Sequence, residues 1–519
     1  MFGRLDDGQK RPTGIGLRSQ LKWKTAMKIF QNFINGAFVD PENGEWLDTK
    51  NPYTGQAWAR IPRSTGKDAD VAVCAARTAM TTGPFARMSA TERGRLLRNL
   101  ADIIEREGPR LAEVEVRDNG KLLAEMGGQL KYIPEFWNYY AGLADKIEGT
   151  VVPIDKPNHF AFTRREPMGV VAALTAWNSP LMFVAWKAAP ALAAGCSVVI
   201  KPSEFASAST LEFAKLTVEA GFPPGVFNVI AGFGDEAGAA LVEHPDVAKL
   251  TFTGSDTTGA RIYATAAKKL KRVSLELGGK SPNIVFSDAN LDAAASGVVS
   301  GIFAATGQTC IAGSRLLVQN SIKDAFVKKL LKLARAAKIG DPIESDTNIG
   351  PVTTPAQYRK VLDYIDVALA EGAKLVIGGK PATGPGVQGN QFIEPTIFTQ
   401  VTSNMRIAQE EVFGPVLSVI GFDDEEDAIH IANDVIYGLA AGVWTQNIGR
   451  AVRMSDALKV GTVWVNTYRA VSYMMPFGGT KMSGIGRENG IEAISEFLET
   501  KAVWVNTSDE FPANPFVMR

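Results

Sequence analysis

The sequence contains few of the residues on which several classes of protein depend. Only three cysteines are spread over 519 residues, which is too few, and too far apart, for a disulfide framework. Free cysteines are typical of a reducing compartment, so we predict a cytoplasmic location. The three histidines show no metal-binding spacing, and we therefore predict neither a metal site nor a His-based hydrolase.

The sequence also lacks net charge and long apolar runs. The 55 basic residues balance 55 acidic ones, so the charge gives no reason to expect a nucleic acid or an anionic membrane as partner. The longest apolar tract, residues 188–200, is too short to span a bilayer. Residues 1–28 are basic, but Asp6, Asp7 and the lack of an apolar core argue against a signal peptide. We predict that residues 1–28 are a disordered extension.

The pattern of apolar residues indicates an α/β protein. Helical periodicity over residues 71–107 and 111–145 precedes a regular alternation of short apolar runs and helical segments. The apolar runs are residues 170–174, 197–200, 226–230, 249–253 and 273–277, and the helical segments between them are 181–194, 207–220, 235–243 and 256–268. Short apolar runs separated by helices predict a parallel, doubly wound sheet.

A second α/β unit follows, beginning near residue 276. Its pattern is less regular, with predicted strands at 283–286 and 315–319 and predicted helices at 291–305 and 321–337. A predicted hairpin at 144–165 and a final strand at 501–506 leave a sheet edge that a free monomer would have to protect. These two segments therefore suggest an oligomerisation element.

Two glycine-rich motifs suggest phosphate binding but lack the context for it. A literal G-x-G-x-x-G begins at Gly384, in a stretch with no predicted strand before it and no predicted helix after it. Gly279-Lys280-Ser281 resembles the end of a P-loop, yet Ser274 stands where the first glycine must be. We therefore exclude nucleotide hydrolysis.

Seven other segments carry the functional information. They are TAWNSP (175–180), KPSE (201–204), FTGSDTTG (252–259), LELGGKSPN (275–283), GQTCIAGSR (307–315), EEVFGPV (410–416) and PFGGTKMSGIGREN (476–489). In this order and spacing they resemble the aldehyde dehydrogenase superfamily, over roughly residues 32–506. The resemblance implies NAD(P)-dependent oxidation of an aldehyde to a carboxylic acid through a covalent thiohemiacetal and thioester.

The resemblance also implies an architecture, namely the aldehyde dehydrogenase-like fold. It has a doubly wound, Rossmann-type cofactor domain, an α/β catalytic domain and a small β oligomerisation element. On this basis we assign residues 29–143 and 166–275 to the NAD-binding domain, 276–490 to the catalytic domain, and 144–165 and 491–510 to the oligomerisation element. The expected partners are an aldehyde and further copies of the chain, in a homodimer or homotetramer.

Cys310 is the predicted nucleophile. Its loop is small and polar, so an aldehyde could reach the sulfur, and we expect the site to favour the thiolate. Cys74 and Cys196 lie among Ala and Val and are predicted to be structural. Glu276 ends a predicted strand beside two glycines, and the resemblance makes it the base that activates water for thioester hydrolysis.

Two further residues complete the predicted catalytic set. The resemblance places the Asn178 amide on the oxyanion, together with the backbone N–H of Cys310. From local sequence alone, Asn178 could equally be a turn residue before Pro180. Lys187 matches a lysine that lies near the site in the family.

The cofactor residues follow from strand ends and helix starts. Lys201 and Glu204 follow an apolar run, at the edge of the sheet where nucleotides bind. Because a carboxylate repels a 2′-phosphate, Glu204 favours NAD, although Lys201 keeps NADP possible. Gly254 and Ser255 open a predicted helix that could hold a pyrophosphate. The resemblance adds Trp177, Ser203, Gly259, Leu277, Gly278, Glu411 and Phe413.

The predicted aldehyde pocket is mostly apolar or aromatic. It comprises Met182, Phe183, Trp186, Thr309, Ile311, Tyr468, Arg469 and Tyr473. Trp186 stands where succinate-semialdehyde enzymes of the family place an arginine, so we expect medium-chain or aromatic aldehydes to be preferred. Arg469 could meet a distal carboxylate or lie in solvent.

Two alternative functions were weighed. A CoA-acylating dehydrogenase is disfavoured, because that branch usually lacks a glutamate at the position of Glu276. A non-catalytic scaffold is disfavoured, because Cys310, Glu276, Asn178, Lys201 and Glu411 are all present.

Overall fold

A computed structural model of the protein describes residues 27–509 and 514–517. The predicted extension lies outside the described residues as far as residue 26. The prediction is wrong at its end, because Lys28 pairs with Ala59 in the first strand. Lys28 and Ile29 therefore belong to the described fold.

The strands of the described residues are β1 (Lys28–Ile29), β2 (Asn32–Ile34), β3 (Ala37–Val39), β4 (Trp46–Lys50), β5 (Ala57–Pro62), β6 (Val151–Val152), β7 (His159–Pro167), β8 (Val170–Thr175), β9 (Ser197–Pro202), β10 (Phe227–Val229), β11 (Val247–Thr253), β12 (Arg272–Glu276), β13 (Pro282–Val285), β14 (Arg315–Gln319), β15 (Lys374–Ile377), β16 (Thr396–Thr399), β17 (Val416–Phe422), β18 (Tyr437–Gly438), β19 (Ala440–Trp444), β20 (Thr462–Val465), β21 (Thr480–Lys481), β22 (Gly484–Ile485) and β23 (Leu498–Asn506). The helices are α1 (Gly66–Thr81), α2 (Ala90–Asn119), α3 (Leu123–Leu143), α4 (Pro180–Ala194), α5 (Ala208–Glu219), α6 (Ala239–Glu243), α7 (Asp256–Ala267), α8 (Leu291–Phe303), α9 (Lys323–Arg335), α10 (Pro355–Ala370), α11 (Arg406–Gln409), α12 (Glu425–Asn433) and α13 (Ile448–Ala457). Short 3-10 segments lie at Pro84–Arg87, Ala144–Lys146, Ala304–Gly307 and Ile491–Phe497, and a π-helical turn at Gly234–Gly238.

The first large sheet confirms the predicted parallel, doubly wound arrangement. It has eight strands in the order β22-β12-β11-β8-β9-β10-β2-β3, of which the five from β12 to β10 are parallel. Alternate residues of β8 face opposite sides. Val171 and Ala173 pack into a core with α4 and α5. Ala172 and Leu174 pack into a second core with α1 and α7.

The second sheet confirms the second α/β unit. Its seven strands run in the order β15-β16-β17-β14-β13-β19-β20, and all its pairings except β15–β16 are parallel. The core on one side includes Val285 and Leu316 with α8 and α9, and the core on the other includes Ile284 and Leu317 with α10 and α12. The chain returns once to the first sheet, since β22 pairs with β12.

A three-stranded sheet contains the predicted hairpin. Its order is β23-β7-β6, and β23 pairs with β7 from Leu498↔Pro167 to Asn506↔His159. The hairpin strand therefore continues beyond the predicted boundary at residue 165. No helix within the described part of the chain is long and apolar enough to cross a membrane.

The predicted helix boundaries are wrong in the first 150 residues. The pattern over 71–107 covers the end of α1 and the start of α2, and Gly83 and Pro84 interrupt it. Ser89 then begins α2 with a capping box. Gly120, with a left-handed φ of 73°, ends α2 within the second predicted helix. The apolar period continues across both breaks, so periodicity alone could not locate them.

Candidate active site

Cys310 lies on a strained loop between α8 and β14. Ala305, Thr306 and Gly307, just before it, have φ angles of 55°, 54° and 70°. Left-handed backbone costs a non-glycine residue about 1–2 kcal/mol. Gly307 has little space for a side chain, since a Cβ there would lie 2.1 Å from the Gly414 carbonyl oxygen. The surroundings must therefore hold this loop in place.

The segment at residues 350–353 supports the loop from one side. The Thr306 hydroxyl donates to the Gly350 carbonyl at 3.1 Å. The Gln308 amide donates to the Pro351 carbonyl at 3.3 Å, and its oxygen accepts from the Thr353 N–H at 2.9 Å. These bonds fix the backbone two residues before Cys310.

Three of the four predicted catalytic residues, Asn178, Glu276 and Cys310, line one cavity of about 140 Å³, and Lys187 does not. The predicted residues that line it are Trp177, Asn178, Phe183, Gly254, Ser255, Glu276, Leu277, Gly278, Cys310, Glu411 and Phe413. They come from both large sheets and from the loop at residues 410–413. The fold thus brings together residues that are far apart in the sequence.

The environment of Cys310 does not favour the thiolate, contrary to the expectation from its loop. Burial, with Glu276 and Glu411 nearby, raises the pKa of the thiol to about 12. The Ile311 backbone N–H and Lys121 act in the opposite direction but do not outweigh the burial. The cysteine is therefore protonated at neutral pH in this arrangement, and its reaction requires a proton acceptor.

Glu276 is the last residue of β12, as predicted, and its carboxyl group is buried. Neither of its oxygens has a hydrogen-bond partner among the described residues. Burial and the neighbouring Glu488 raise the pKa of Glu276 well above its usual value, while Lys187 and Arg487 lower it. A raised pKa makes the Glu276 carboxylate a stronger proton acceptor than an ordinary one, which suits a general base.

Asn178 and Lys187 occupy different environments. The Asn178 amide donates to the Gln308 carbonyl at 3.2 Å, so it reaches the backbone beside Cys310. Lys187 on α4 forms an ion pair with Glu488 and donates to the Thr251 hydroxyl at 3.2 Å. The Lys187 ammonium group is thus engaged with Glu488 rather than with the thiol.

A larger cavity of about 420 Å³ adjoins the first. The two share Trp177, Thr253 and Gly254, so they form one cleft. Lys201 and Glu204 lie in the larger cavity with their charged groups 3.3 Å apart, and burial lowers the pKa of Lys201.

The start of α7 lies at the junction of the two cavities. Ser255 is the N-cap of α7, and its hydroxyl accepts from the Thr258 N–H. A Cβ on Gly259 would lie 2.5 Å from Leu277, so α7 can approach that side chain only with glycine here. The N-terminus of α7 therefore faces the cleft as predicted.

Glu411 and Phe413 close the cleft from the other side. The Glu411 carboxylate accepts from the Gly279 N–H at 3.0 Å. Phe413 has a left-handed φ of 58°, and its ring lies edge-on to Trp177 at 5.4 Å between centroids. Gln357 stabilises this backbone, since its amide donates to the Val412 and Phe413 carbonyls at 2.8 and 3.1 Å.

A cluster of aromatic side chains begins at Phe183, which lines the same cavity as Cys310. The Trp186 ring lies 4.9 Å from Phe477 and 5.9 Å from Phe183 between centroids. Tyr473 lies within 6 Å of Tyr132, Phe136 and Tyr139, which α3 contributes. We call these seven residues (Tyr132, Phe136, Tyr139, Phe183, Trp186, Tyr473 and Phe477) the aromatic cluster.

Four other predicted pocket residues have different surroundings. Tyr468 is buried behind the cysteine loop, where its hydroxyl donates to the Ile311 carbonyl at 3.0 Å. The structure therefore gives Tyr468 a packing position and not a place in the aromatic cluster. Thr309 and Ile311 flank Cys310, and Met182 packs against the core at the start of α4.

Arg469 has a backbone partner. Its guanidinium group donates to the Ser300 carbonyl at 2.9 Å, and it forms no ion pair within the described ranges. Its charge is thus not neutralised by a carboxylate within salt-bridge distance.

Comparisons with known proteins bear on this arrangement. The model of the aldehyde dehydrogenase family matches residues 38–503. A dehydrogenase of Acinetobacter baylyi, named for (Z)-2-((N-methylformamido)methylene)-5-hydroxybutyrolactone, is 48% identical over 494 residues, which are 95% of this chain and 100% of that protein. The chain belongs to the aldehyde dehydrogenase family.

Solved structures of aldehyde dehydrogenases have the same fold. Betaine aldehyde dehydrogenase of Staphylococcus aureus in complex with NAD+ superposes with a TM-score of 0.92 at 41% identity, covering 94% of this chain and 96% of that one. A Bacillus cereus aldehyde dehydrogenase gives a TM-score of 0.90 at 44% identity, covering 93% and 97%. The activity of the chain is accordingly NAD-dependent oxidation of an aldehyde.

The cleft of this aldehyde dehydrogenase suits NAD. It joins a carboxylate–lysine pair at one end to the thiol at the other, past the N-terminus of α7. The hydroxyls of Thr175 and Thr253 line it and have no hydrogen-bond partner among the described residues. Such buried donors at the carboxyl ends of parallel strands are suited to polar groups of a nucleotide.

Sequence reasoning missed several residues of this site. Glu488, which pairs with Lys187, lies within the quoted segment 476–489 and could have been singled out there. Gln357 lies outside every quoted motif and gave no local signal. Tyr132, Phe136 and Tyr139 follow a helical spacing within α3, but the same spacing is typical of a core-facing stripe.

Proposed function

We propose that Cys310 is the nucleophile of this dehydrogenase and attacks the aldehyde carbon to form a thiohemiacetal. The observation that carries the proposal is the single cleft, in which Cys310, Glu276 and Asn178 line one end and Lys201 and Glu204 the other. NAD, when bound, accepts the hydride that leaves the thiohemiacetal carbon. A thioester on Cys310 remains and is hydrolysed to the carboxylic acid.

The protein's own groups supply the proton transfers and the stabilisation of charge. Because the pKa of Cys310 is raised, the thiol proton must pass to an acceptor. Two carboxylates line the cavity, Glu276 and Glu411; Glu411 accepts from the Gly279 N–H, and Glu276, whose oxygens have no partner among the described residues, would take the proton. After it has released the thiol proton to solvent, the same carboxylate would take a proton from the attacking water in the second half-reaction. Asn178 and the Cys310 backbone N–H would donate to the oxyanion in both steps.

The buried pair of Lys187 and Glu488 would tune Glu276. The two groups shift the pKa of Glu276 in opposite directions, Glu488 upward and Lys187 downward. Lys187 therefore acts through its neighbours and not as a group that touches the aldehyde. In this role the ion pair sets how readily Glu276 gains and loses its proton.

Residues at the cofactor end of the cleft would bind NAD by position and charge. Lys201, Glu204 and Ser203 would bind the adenosine ribose, and Gly254 and Ser255 the pyrophosphate. Glu411 and Phe413 would lie near the nicotinamide, beside Trp177, Leu277 and Gly278. The Glu204 carboxylate would favour NAD over NADP.

The aromatic cluster favours a medium-chain, aromatic or cyclic aldehyde. The seven rings of the cluster provide apolar contact area for such an aldehyde, and none of the seven side chains carries a positive charge. The A. baylyi relative is named for a butyrolactone, a cyclic compound, which is in keeping with this class. Succinate semialdehyde, with its short chain and carboxylate, should be a poorer substrate.

We also propose that the protein is a cytoplasmic homodimer or homotetramer. β23 is an outer strand of its sheet, with Trp504 and Val505 exposed on it. β20 is likewise an outer strand, at one edge of the seven-stranded sheet. Pairing of such edges between copies would protect them from unspecific association.

The test of the catalytic proposal is NADH formation by Cys310→Ala. We expect turnover to be abolished while NAD binding, followed by quenching of intrinsic fluorescence, stays close to wild type. Cys74→Ala and Cys196→Ala serve as matched controls and should keep near-normal turnover, since neither residue lines the cleft. Near-normal turnover by Cys310→Ala would refute the proposal.

A further inference from the structure

The loop before Cys310 has a second support, at the start of α3. Glu125 lies in the first turn of α3, and one oxygen of its carboxylate accepts from the Ala305 N–H at 2.6 Å. A carboxylate acceptor makes this hydrogen bond stronger than one between neutral groups. It falls on the first of the three left-handed residues before Cys310.

The bond from Glu125 leads to the reacting groups through a continuous chain of contacts. The Ala305 carbonyl accepts from the Gln308 N–H at 2.9 Å. The Gln308 carbonyl in turn accepts from the Asn178 amide at 3.2 Å. A shift of Ala305 would therefore move both the segment that presents Cys310 and the side chain assigned to the oxyanion.

The charge of Glu125 opposes the burial that lowers the pKa of Lys121, and its side chain makes one hydrogen bond within the described structure, with Ala305. It forms no ion pair within 4 Å there, and its second oxygen is buried without a hydrogen-bond partner among the described residues. Burying part of a carboxylate is unfavourable unless its contacts compensate for the loss of water. The hydrogen bond from the strained backbone of Ala305 is the contact that can compensate for this burial.

We propose that Glu125 is a positioning residue for the nucleophile: its carboxylate holds Ala305 in the left-handed turn that presents Cys310 and aligns Asn178. Without this acceptor, Ala305 can relax to the negative φ that alanine prefers. The inference rests on the proposed role of Cys310. Glu125 itself touches neither the aldehyde nor NAD in this account.

The proposal is tested with two substitutions at Glu125 and a matched control. Glu125→Ala removes the acceptor, Glu125→Gln keeps an oxygen that can accept the same N–H, and Glu135→Ala removes an exposed carboxylate from the same helix. For each protein we would measure kcat, the KM for NAD, and the rate of Cys310 alkylation by iodoacetamide. All measurements are made well below the Tm of each variant, so that unfolding does not contribute.

We expect Glu125→Ala to lower kcat by about tenfold to a hundredfold, since small misplacements of reacting groups have effects of this size. Its KM for NAD should stay within about twofold, because the cofactor end of the cleft is unchanged, and its alkylation rate should change by at least about threefold. Glu125→Gln should keep most of the wild-type kcat, and Glu135→Ala all of it.

Three results would overturn the proposal. They are wild-type kcat in Glu125→Ala, a loss in Glu125→Gln as large as that in Glu125→Ala, and a lower kcat with an unchanged alkylation rate. Failure of the proposed function is recognised separately, because Cys310→Ala would then still form NADH.

Discussion

The two ends of the cleft are built in different ways. The cofactor end includes short segments at the carboxyl ends of β8, β9 and β11. Charged and hydroxyl-bearing residues lie in these segments, at or just after the end of each strand. The end proposed to receive the aldehyde is a cluster of rings from α3, α4 and the loop before β21. One end is specified by strand topology, and the other by the packing of elements that are distant in the sequence. We therefore expect substitutions at the two ends to have separable effects.

Apart from Cys310→Ala, we expect the largest loss of turnover from a substitution at Glu276, where the two ends of the cleft meet. Glu276→Gln removes the base of the second half-reaction, so we expect steady-state turnover to fall by about 10²- to 10⁴-fold. A pre-steady-state burst of NADH should remain if another group can accept the thiol proton. Rapid-mixing absorbance at the NADH band measures both phases. Steady-state turnover at the wild-type level would remove Glu276 from the mechanism.

The cysteine should also reveal its environment through pH. Because the folded protein raises the pKa of Cys310 to about 12, the thiolate is scarce at neutral pH and increases as the pH rises. We expect alkylation of the cofactor-free enzyme to accelerate about tenfold per pH unit from pH 7 to beyond pH 9. Iodoacetamide kinetics followed by peptide mass spectrometry measure this rate. A plateau near pH 8 would instead indicate an activated thiol.

The aldehyde end should determine which substrates are used. We expect kcat/KM for benzaldehyde or hexanal to exceed that for succinate semialdehyde by at least about tenfold, because the aromatic cluster proposed to receive the aldehyde offers apolar contact area. Trp186→Ala should reduce this advantage and leave the KM for NAD unchanged. Arg469→Ala is the matched test for an anion, and a preference for succinate semialdehyde that disappears in this variant would contradict the proposal.

The cofactor end should show the smallest effect. Glu204→Gln removes the charge that would repel a 2′-phosphate, so we expect the preference for NAD over NADP to fall by about tenfold, equivalent to about 1.4 kcal/mol. Glu243→Gln is the control, since Glu243 lines the same cavity. A preference for NADP in the wild-type enzyme would show that Glu204 has been misassigned.

The same contrast explains which features could be predicted from the sequence. The parallel sheet and the places of Lys201, Glu204, Gly254 and Ser255 followed from apolar runs and the residues after them, which are local signals. Tyr468 was misplaced because its direction depends on how the loop packs against Ile311. Gln357 and Glu125 were missed because each acts through a hydrogen bond to backbone far away in the sequence.

The charge states of the site were the least predictable. Its small, polar loop suggested that Cys310 would favour the thiolate, yet the folded chain buries the sulfur near Glu276 and Glu411. Desolvation and long-range charge depend on the assembled structure. The sequence and the family resemblance therefore led to Cys310 as the proposed nucleophile, but not to its protonation.

The central claim is that the aldehyde becomes covalently attached to Cys310, and one measurement tests it directly. The wild-type enzyme would be mixed with NAD and benzaldehyde, quenched in acid during the first turnover and digested, and the masses of its peptides would be measured by mass spectrometry. We predict that the peptide containing Cys310 gains the mass of the aldehyde less two hydrogens, as a thioester requires, and only when NAD is present. A burst of NADH without this adduct, or with the adduct on Cys74 or Cys196, would contradict the account.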